Sequence, residues 1–483
     1  MAVRPPVLDE ILRSVARRYR VPSVPDLFPL PESDNPATAL AVAIEQARAA
    51  LARGETPDEI SRLAFLEALS LMIRDAMRPE QGDPAFQAMV LQQRAAHVRE
   101  YASLLARADQ DRRVIRSAVN AVAHPAKQAR ASSDRQAKTM ARLHELAFSA
   151  AWKKLSDATQ QALELADVAT DPQLTRGIAR IRDEAALDRL ERLKELEPDE
   201  LVQRYLSLRD RNGPRPGSAG AATQGTAARR RGAEVEKLAT QALQALARRL
   251  EKEEGSPGSY RVAASLRVPA ALCNNAERAK GEWDALLLRK VESADEASRR
   301  TVQSEKGHAT REAWDVLLLV EAKASVDAAT TDLPRLLRGL HLLTQAHRDT
   351  IYTFESRHEA VRLRGASLSR LKEVEAAIRG KAESKGVGPL QRTVLYFCDA
   401  PAEASPRLLS PASRMQLLST QASLKFAEKL AQGETTRLHD LLPVWQHLLE
   451  SPKWRAVLHQ YQALHQVREL MVHADDLMAA IKA

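Results

Sequence analysis

Cysteine is nearly missing from this chain: Cys273 and Cys398 are the only two in 483 residues. They support no disulfide framework and have no zinc-ligand spacing. Aromatic residues make up 4% of the chain, too few for base stacking to be the main grip on a single strand of nucleic acid. No apolar run approaches the roughly 18 residues of a membrane-spanning helix. The first residues, MAVRPPVLDEILRSVARRYR, lack the apolar centre of a signal peptide. The expectation is a cytoplasmic protein, or one exported without a cleavable signal, with no membrane partner. There is no Walker-type Gly-rich loop, so NTP hydrolysis is not expected.

What the chain has is length, helix formers and unevenly spread charge. Its 483 residues have room for two to four domains. Of the net +9, residues 210–232 contribute four, from five basic and one acidic side chain. That balance is compatible with nucleic acid without requiring it.

Residues 1–209 read as a helical, bundle- or coiled-coil-like scaffold or partner-binding domain, open to a protein partner or to self-association. Val7–Tyr19 is an amphipathic helix. Thr56 as N-cap, with Pro57 in the first turn, opens a helix whose apolar stripe is Ile60, Leu63, Ala64, Leu66 and Leu71. Asp83-Pro84 opens another. One long periodic helix is expected over Ser132–Ala169 and one more from Ile178 to Leu196. His97, His124 and His144 are scattered, as surface or capping residues usually are.

Residues 210–231, rich in Gly, Pro, Ser and Ala, read as a basic linker. Its closing Arg229, Arg230 and Arg231 are either phosphate contacts or a solvated linker end. Then come an amphipathic helix from Gly232 to Glu254 and a strand over Ser259–Val268. A second strand, GEWDALLLRK, spans Gly281–Lys290, and residues 291–311 form a polar excursion. A third strand lies within EAWDVLLLVEAKAS, Glu312–Ser325. A helix over Thr331–His347, a charged helical excursion over Phe354–Lys385 and a buried strand over Arg392–Asp399 follow. A helical C-terminal extension, residues 406–483, packs on the domain formed by 232–405.

The third strand carries the chemistry. Val316 to Val320 are apolar, as in a strand covered on both faces. Glu321 and Lys323 then follow two positions apart, on one face. If the second strand pairs with it, Asp284 converges on them. Two carboxylates suit a hard cation such as Mg²⁺, and the lysine can orient a water or offset charge on a phosphate. Arg335 and Arg338 on the next helix are in reach of such a phosphate, or face solvent.

In its order of helix, three strands, helix, excursion and strand, residues 232–400 resemble the PD-(D/E)XK nuclease superfamily. The resemblance is to its restriction-endonuclease-like and Holliday-junction-resolvase-like core. Glu236-Lys-Leu-Ala239, Gly281-Glu-Trp-Asp284 and Glu321-Ala-Lys323 carry it. It implies an α+β multidomain protein in which a mixed central sheet follows the helical domain. It also implies that Asp284 and Glu321 hold Mg²⁺ or Mn²⁺ and that Lys323 assists the attacking water. Glu236 supports that site, with Glu234 as the competing position. The implied activity is metal-dependent endonucleolytic hydrolysis of DNA, in defence against foreign DNA, as an antibacterial effector or in repair. RNA as substrate stays open. The rival is a catalytically inactive, nuclease-fold DNA-binding or scaffolding subunit. The insertion between Asp284 and Glu321, and the excursion near 350–390, depart from the family's pattern.

Overall fold

The structure, a computed structural model, describes residues 4–21, 35–214, 217–272, 281–291, 312–356, 359–378, 393–403 and 406–483. Cys273 and nearly all of the expected excursion at 291–311 lie outside the described residues. The protein is mixed α+β and divides into two compact units. One comprises Met1–Leu69, Pro216–Gln416 and Trp445–Ala483, the other Ser70–Arg215 and Leu417–Val444. This division differs from the expected boundaries: residues 1–69 group with the sheet, and residues 417–444 with the helical unit. Among the described residues, no helix is long and apolar enough to cross a membrane.

The first unit is built on seven strands: β1 (Tyr260–Arg267), β2 (Glu282–Lys290), β3 (Trp314–Ala322), β4 (Ile351–Glu355), β5 (Ala360–Arg364), β6 (Val394–Cys398) and β7 (Met471–His473). β1, β2 and β3 form an antiparallel meander, and β6 adds to β3 in parallel, followed by β7. The hairpin β4–β5 connects by one residue pair to β1 and by one to β3, so the first five strands close into a ring. Of the expected helical excursion over 354–385, residues 357–358 and 379–385 lie outside the described residues; the rest belongs to this hairpin and to helices Gly365–Ser369 and Leu371–Ile378. The alternation in IYTFE and AVRLR has the strand period, with Tyr352, Phe354, Val361 and Leu363 buried.

Helices cover both faces of the sheet. We number α1 (Pro6–Ser14), α2 (Ala219–Glu254), α3 (Val326–Thr344) and α4 (Ala474–Lys482). One core gathers Leu8, Ile11 and Leu12 of α1, Val235, Ala239, Leu243 and Leu246 of α2, and Leu477 and Ile481 of α4. These pack against Leu318, Val320, Leu395 and Phe397. On the other face Ala329, Leu333, Leu336 and Leu340 of α3 pack with Leu286, Leu319, Val394 and Tyr396. The N-terminal segment is therefore part of the sheet unit, contrary to its expected place in a separate domain. Arg4 donates to the Leu317 carbonyl at 3.1 Å and to Thr393 Oγ1 at 3.3 Å, and the Tyr19 hydroxyl donates to the Ala400 carbonyl.

Two expected segments change character. Much of the linker over 210–231 is helix, because α2 begins at Ala219, capped by Ser218. An Ala-rich stretch needs no apolar face to be helical. The long helix expected from Ser132 to Ala169 is three helices, Asp134–Phe148, Trp152–Leu163 and Ala166–Ala169, with Ala150 at φ 56° in the first break. Folding back lets Met140 and Leu143 share a core with Leu155, Ala158 and Ala162 in the helical unit, burial that one straight helix cannot give itself. The single helix expected from Ile178 to Leu196 is likewise two, Pro172–Arg182 and Ala185–Leu196.

Local start signals are mostly where expected. Asp83 accepts the Ala85 and Phe86 amides ahead of Pro84. The helix near residue 56 begins later, at Glu59, and Asp58 rather than Thr56 accepts an amide, that of Ser61 at 2.8 Å. Of its expected stripe, Ile60, Leu63 and Leu71 are exposed. The buried face is Phe65, Leu66, Leu69, Met72 and Ile73.

Candidate active site

The site forms where β2 and β3 end side by side. Ala285 pairs with Val320 in the antiparallel ladder, so the next positions bring Asp284 towards Glu321. The Asp284 carboxylate accepts the Ala322 amide at 2.9 Å, which fixes one of its oxygens across the strand gap. On the other side of β3, Glu321 pairs in parallel with Tyr396. The Lys323 amide donates to the Phe397 carbonyl at 2.9 Å. Leu319 and Tyr396 belong to the core under α3, so Glu321 and Lys323 lie on the α3 face.

The chain then turns directly into α3. Ser325 caps it by accepting the Ala328 amide at 3.2 Å, and Asp327 sits in the first turn, where an acidic side chain suits the helix dipole. This tight entry places Asp332 over the strand ends. Lys323 Nζ lies 3.5 Å from Glu321 Oε2 and 3.3 Å from Asp332 Oδ2. Tyr396 donates its hydroxyl to the same Asp332 oxygen at 3.3 Å. Glu321 has no exposed surface, and the Lys323 side chain retains 17%.

Burial opposes the Lys323 charge. Glu321, Asp332 and Asp284, in that order, outweigh it and hold the ammonium above its ordinary range. The Tyr396 phenol is pushed up, first by burial and then by the charges of Asp332 and Glu321. The cluster is thus a compact acidic pocket with one cation inside it.

The structure brings Asp284, Glu321 and Lys323 together. Glu236 is half-buried on α2, which covers the opposite face of the sheet, and Glu234 is exposed, 3.8 Å from Arg231. Arg231 ties α2 to Asp399, just past β6, at 2.6 Å. Glu236 follows five residues later, about 7.5 Å along the axis. Arg229 and Arg230 are exposed on α2, and Arg335 and Arg338 on α3.

Asp332 and the Tyr396 hydroxyl were not singled out from the sequence. A usable signal was present. Asp332 falls between Ala329 and Leu336 on the apolar stripe of α3, and a lone carboxylate on a buried helix face needs a partner.

Of the scattered histidines, His97 Nε2 lies 3.2 Å from Asp199 Oδ1. His124 caps the short helix Pro125–Gln128, and His144 stacks on Phe148 at 4.3 Å. Among the described residues, no group of three or more His, Cys, Asp or Glu side chains is arranged to hold a metal ion. A cavity of 680 Å³ lies in the helical unit, where Arg113, Lys127, Arg130 and Arg180 stand among apolar side chains. Chemistry rather than volume selects the acidic cluster as the candidate site.

Comparison with protein-family models, with curated proteins and with solved structures gives no match for this chain.

Proposed function

We propose that the protein is a metal-dependent endonuclease of the PD-(D/E)XK type, acting on DNA. The observation that carries this reading is the convergence of Asp284, Glu321 and Lys323 at adjoining strand ends. The element order supports it as well: α2, an antiparallel meander, α3, then a strand parallel to β3.

Two carboxylates from neighbouring strands suit a small hard cation that keeps several waters. Asp284 and Glu321 would hold Mg²⁺ or Mn²⁺, which supplies Lewis-acid polarisation of the phosphate and a more acidic water. Lys323 presents N–H donors from Nζ to a phosphate oxygen or to the attacking water, and its charge offsets the charge that builds on the phosphate. Burial of Glu321 keeps bulk water from screening these charges. Arg229 and Arg230, exposed on the helix that Arg231 ties to Asp399, would contact backbone phosphates. Arg335 and Arg338 offer the same from α3. Defence against foreign DNA and antibacterial action both suit such a centre joined to a helical unit, through which a protein partner could dock.

The test is plasmid cleavage by the full chain with Mg²⁺ or Mn²⁺, against EDTA and against Lys323→Ala. The expected result is nicking that EDTA abolishes and that Lys323→Ala lowers by about 10²–10⁴-fold. Intact plasmid with every divalent cation, with tight DNA binding retained, would overturn the enzymatic reading in favour of a DNA-binding subunit.

A further inference from the structure

Asp332 and Tyr396 belong to the cluster, yet the chemistry proposed above gives them no part. Both are held inside. The Asp332 side chain is 10% exposed, and Tyr396 is fully buried. Lys323 is joined to Glu321 at 3.5 Å, the outer limit of a hydrogen bond, and to Asp332 at 3.3 Å. One carboxylate stands on β3 and the other on α3, so they approach the ammonium from different elements.

A lysine stem is flexible, and its head is a point charge with rotatable donors. A single long contact leaves such a group free to swing. A second one from another element removes most of that freedom. Asp332 is oriented in turn by the Tyr396 hydroxyl at 3.3 Å. Because Tyr396 pairs with Glu321 in the β3–β6 ladder, backbone hydrogen bonding joins both ends of this chain of contacts.

We infer that Asp332, oriented by Tyr396, is the positioning residue of Lys323, holding its ammonium beside the Asp284–Glu321 pair where a phosphate would arrive. The role rests on the hydrolytic reading above and assigns Asp332 no contact with substrate. Removing it releases the lysine head without removing the lysine. That loss falls on turnover rather than on DNA binding, because correct placement is worth most in the transition state.

The experiment compares wild type with Asp332→Ala, Asp332→Asn and Tyr396→Phe by two readouts. The first is kcat and KM for plasmid cleavage. The second is the ¹H–¹⁵N cross-peak of the Lys323 ammonium, assigned by its loss in Lys323→Met and visible only while the group is held away from rapid exchange. Asp332→Ala is expected to lower kcat about 10- to 100-fold with KM little changed, and to abolish the cross-peak. Asp332→Asn keeps an acceptor for Tyr396 and is expected to lose less, and it stands in if the alanine variant does not fold. Tyr396→Phe is expected to be the mildest. A folded Asp332→Ala with unchanged kcat and an intact cross-peak overturns the inference. Should wild type cleave nothing with any divalent cation, the hydrolytic reading fails on its own. The cross-peak then still decides whether Asp332 holds Lys323: its loss in a folded Asp332→Ala sustains that hold, and its retention there overturns it.

Discussion

A buried charge persists only where other groups compensate for lost water. Lys323 is such a case, since three carboxylates outweigh its burial. The same logic runs in the other direction for tyrosine. Tyr19, Tyr260 and Tyr396 are all pushed above the ordinary value of 10.0, each mainly by burial. A phenol whose value is raised in the folded state contributes stability that is fully present below the ordinary value and is lost as pH rises towards the folded one. Alkaline titration of the seven tyrosines, followed by phenolate absorbance and far-ultraviolet circular dichroism together, should therefore show a late phase coincident with unfolding. Tyr396→Phe should shrink that late phase. Ionisation of every tyrosine in one step near pH 10, with the helical signal intact, would contradict the burial described here. The candidate residues legible in the sequence, Asp284, Glu321 and Lys323, flank apolar runs at the ends of β2 and β3, where alternation alone sets their face. Asp332 was harder to see because a helix face acquires meaning only once the sheet it covers is known.

Among the elements, α2 departs furthest from its expected form. Its first third, Ala219 to Arg231, is mostly exposed and draws little on tertiary packing, so intrinsic propensity governs it. Gly225 and Gly232 lie within this helix, and an added Cβ at either meets nothing within 4 Å. Gly225→Ala and Gly232→Ala should each stabilise the segment by about 0.5–1 kcal/mol. Amide hydrogen exchange over residues 219–234 should slow about two- to fivefold per substitution. Unchanged exchange would mean the stretch is not helical in solution, and the linker reading would return. The hairpin β4–β5 carries the opposite lesson. Its alternation was present in the sequence, but the charged residues around it resembled a solvated helix.

Across the whole molecule, the sheet unit is assembled from three separate segments of chain. Its N-terminal segment is held by burial of Leu8, Ile11 and Leu12 and by Arg4 on the edges of β3 and β6. Leu12 is 3% exposed, and Leu12→Ala should destabilise the sheet unit by about 2–5 kcal/mol, read as a lower denaturant midpoint. A shift below about 0.5 kcal/mol, as for a surface position, would show that α1 is dispensable to the fold. In the helical unit, Arg189 forks onto the buried Asp111 at 2.9 and 2.7 Å, tying helix Ala185–Leu196 to helix Ala96–Ala123. Neither of these long-range ties has a local sequence signal, because each joins residues far apart in the chain.

The sequence by itself determined the mixed α+β class, the order helix–meander–helix–strand, and the placing of Asp284, Glu321 and Lys323 at strand ends. These depend on periodicity and on apolar runs, which are local properties of a chain. Only the tertiary structure decided that residues 1–69 join the sheet and that α2 reaches back to Ala219. It alone put Asp332 and Tyr396 around the lysine. Those outcomes depend on which apolar faces meet and which buried charges must be matched, and no short window of residues contains that information.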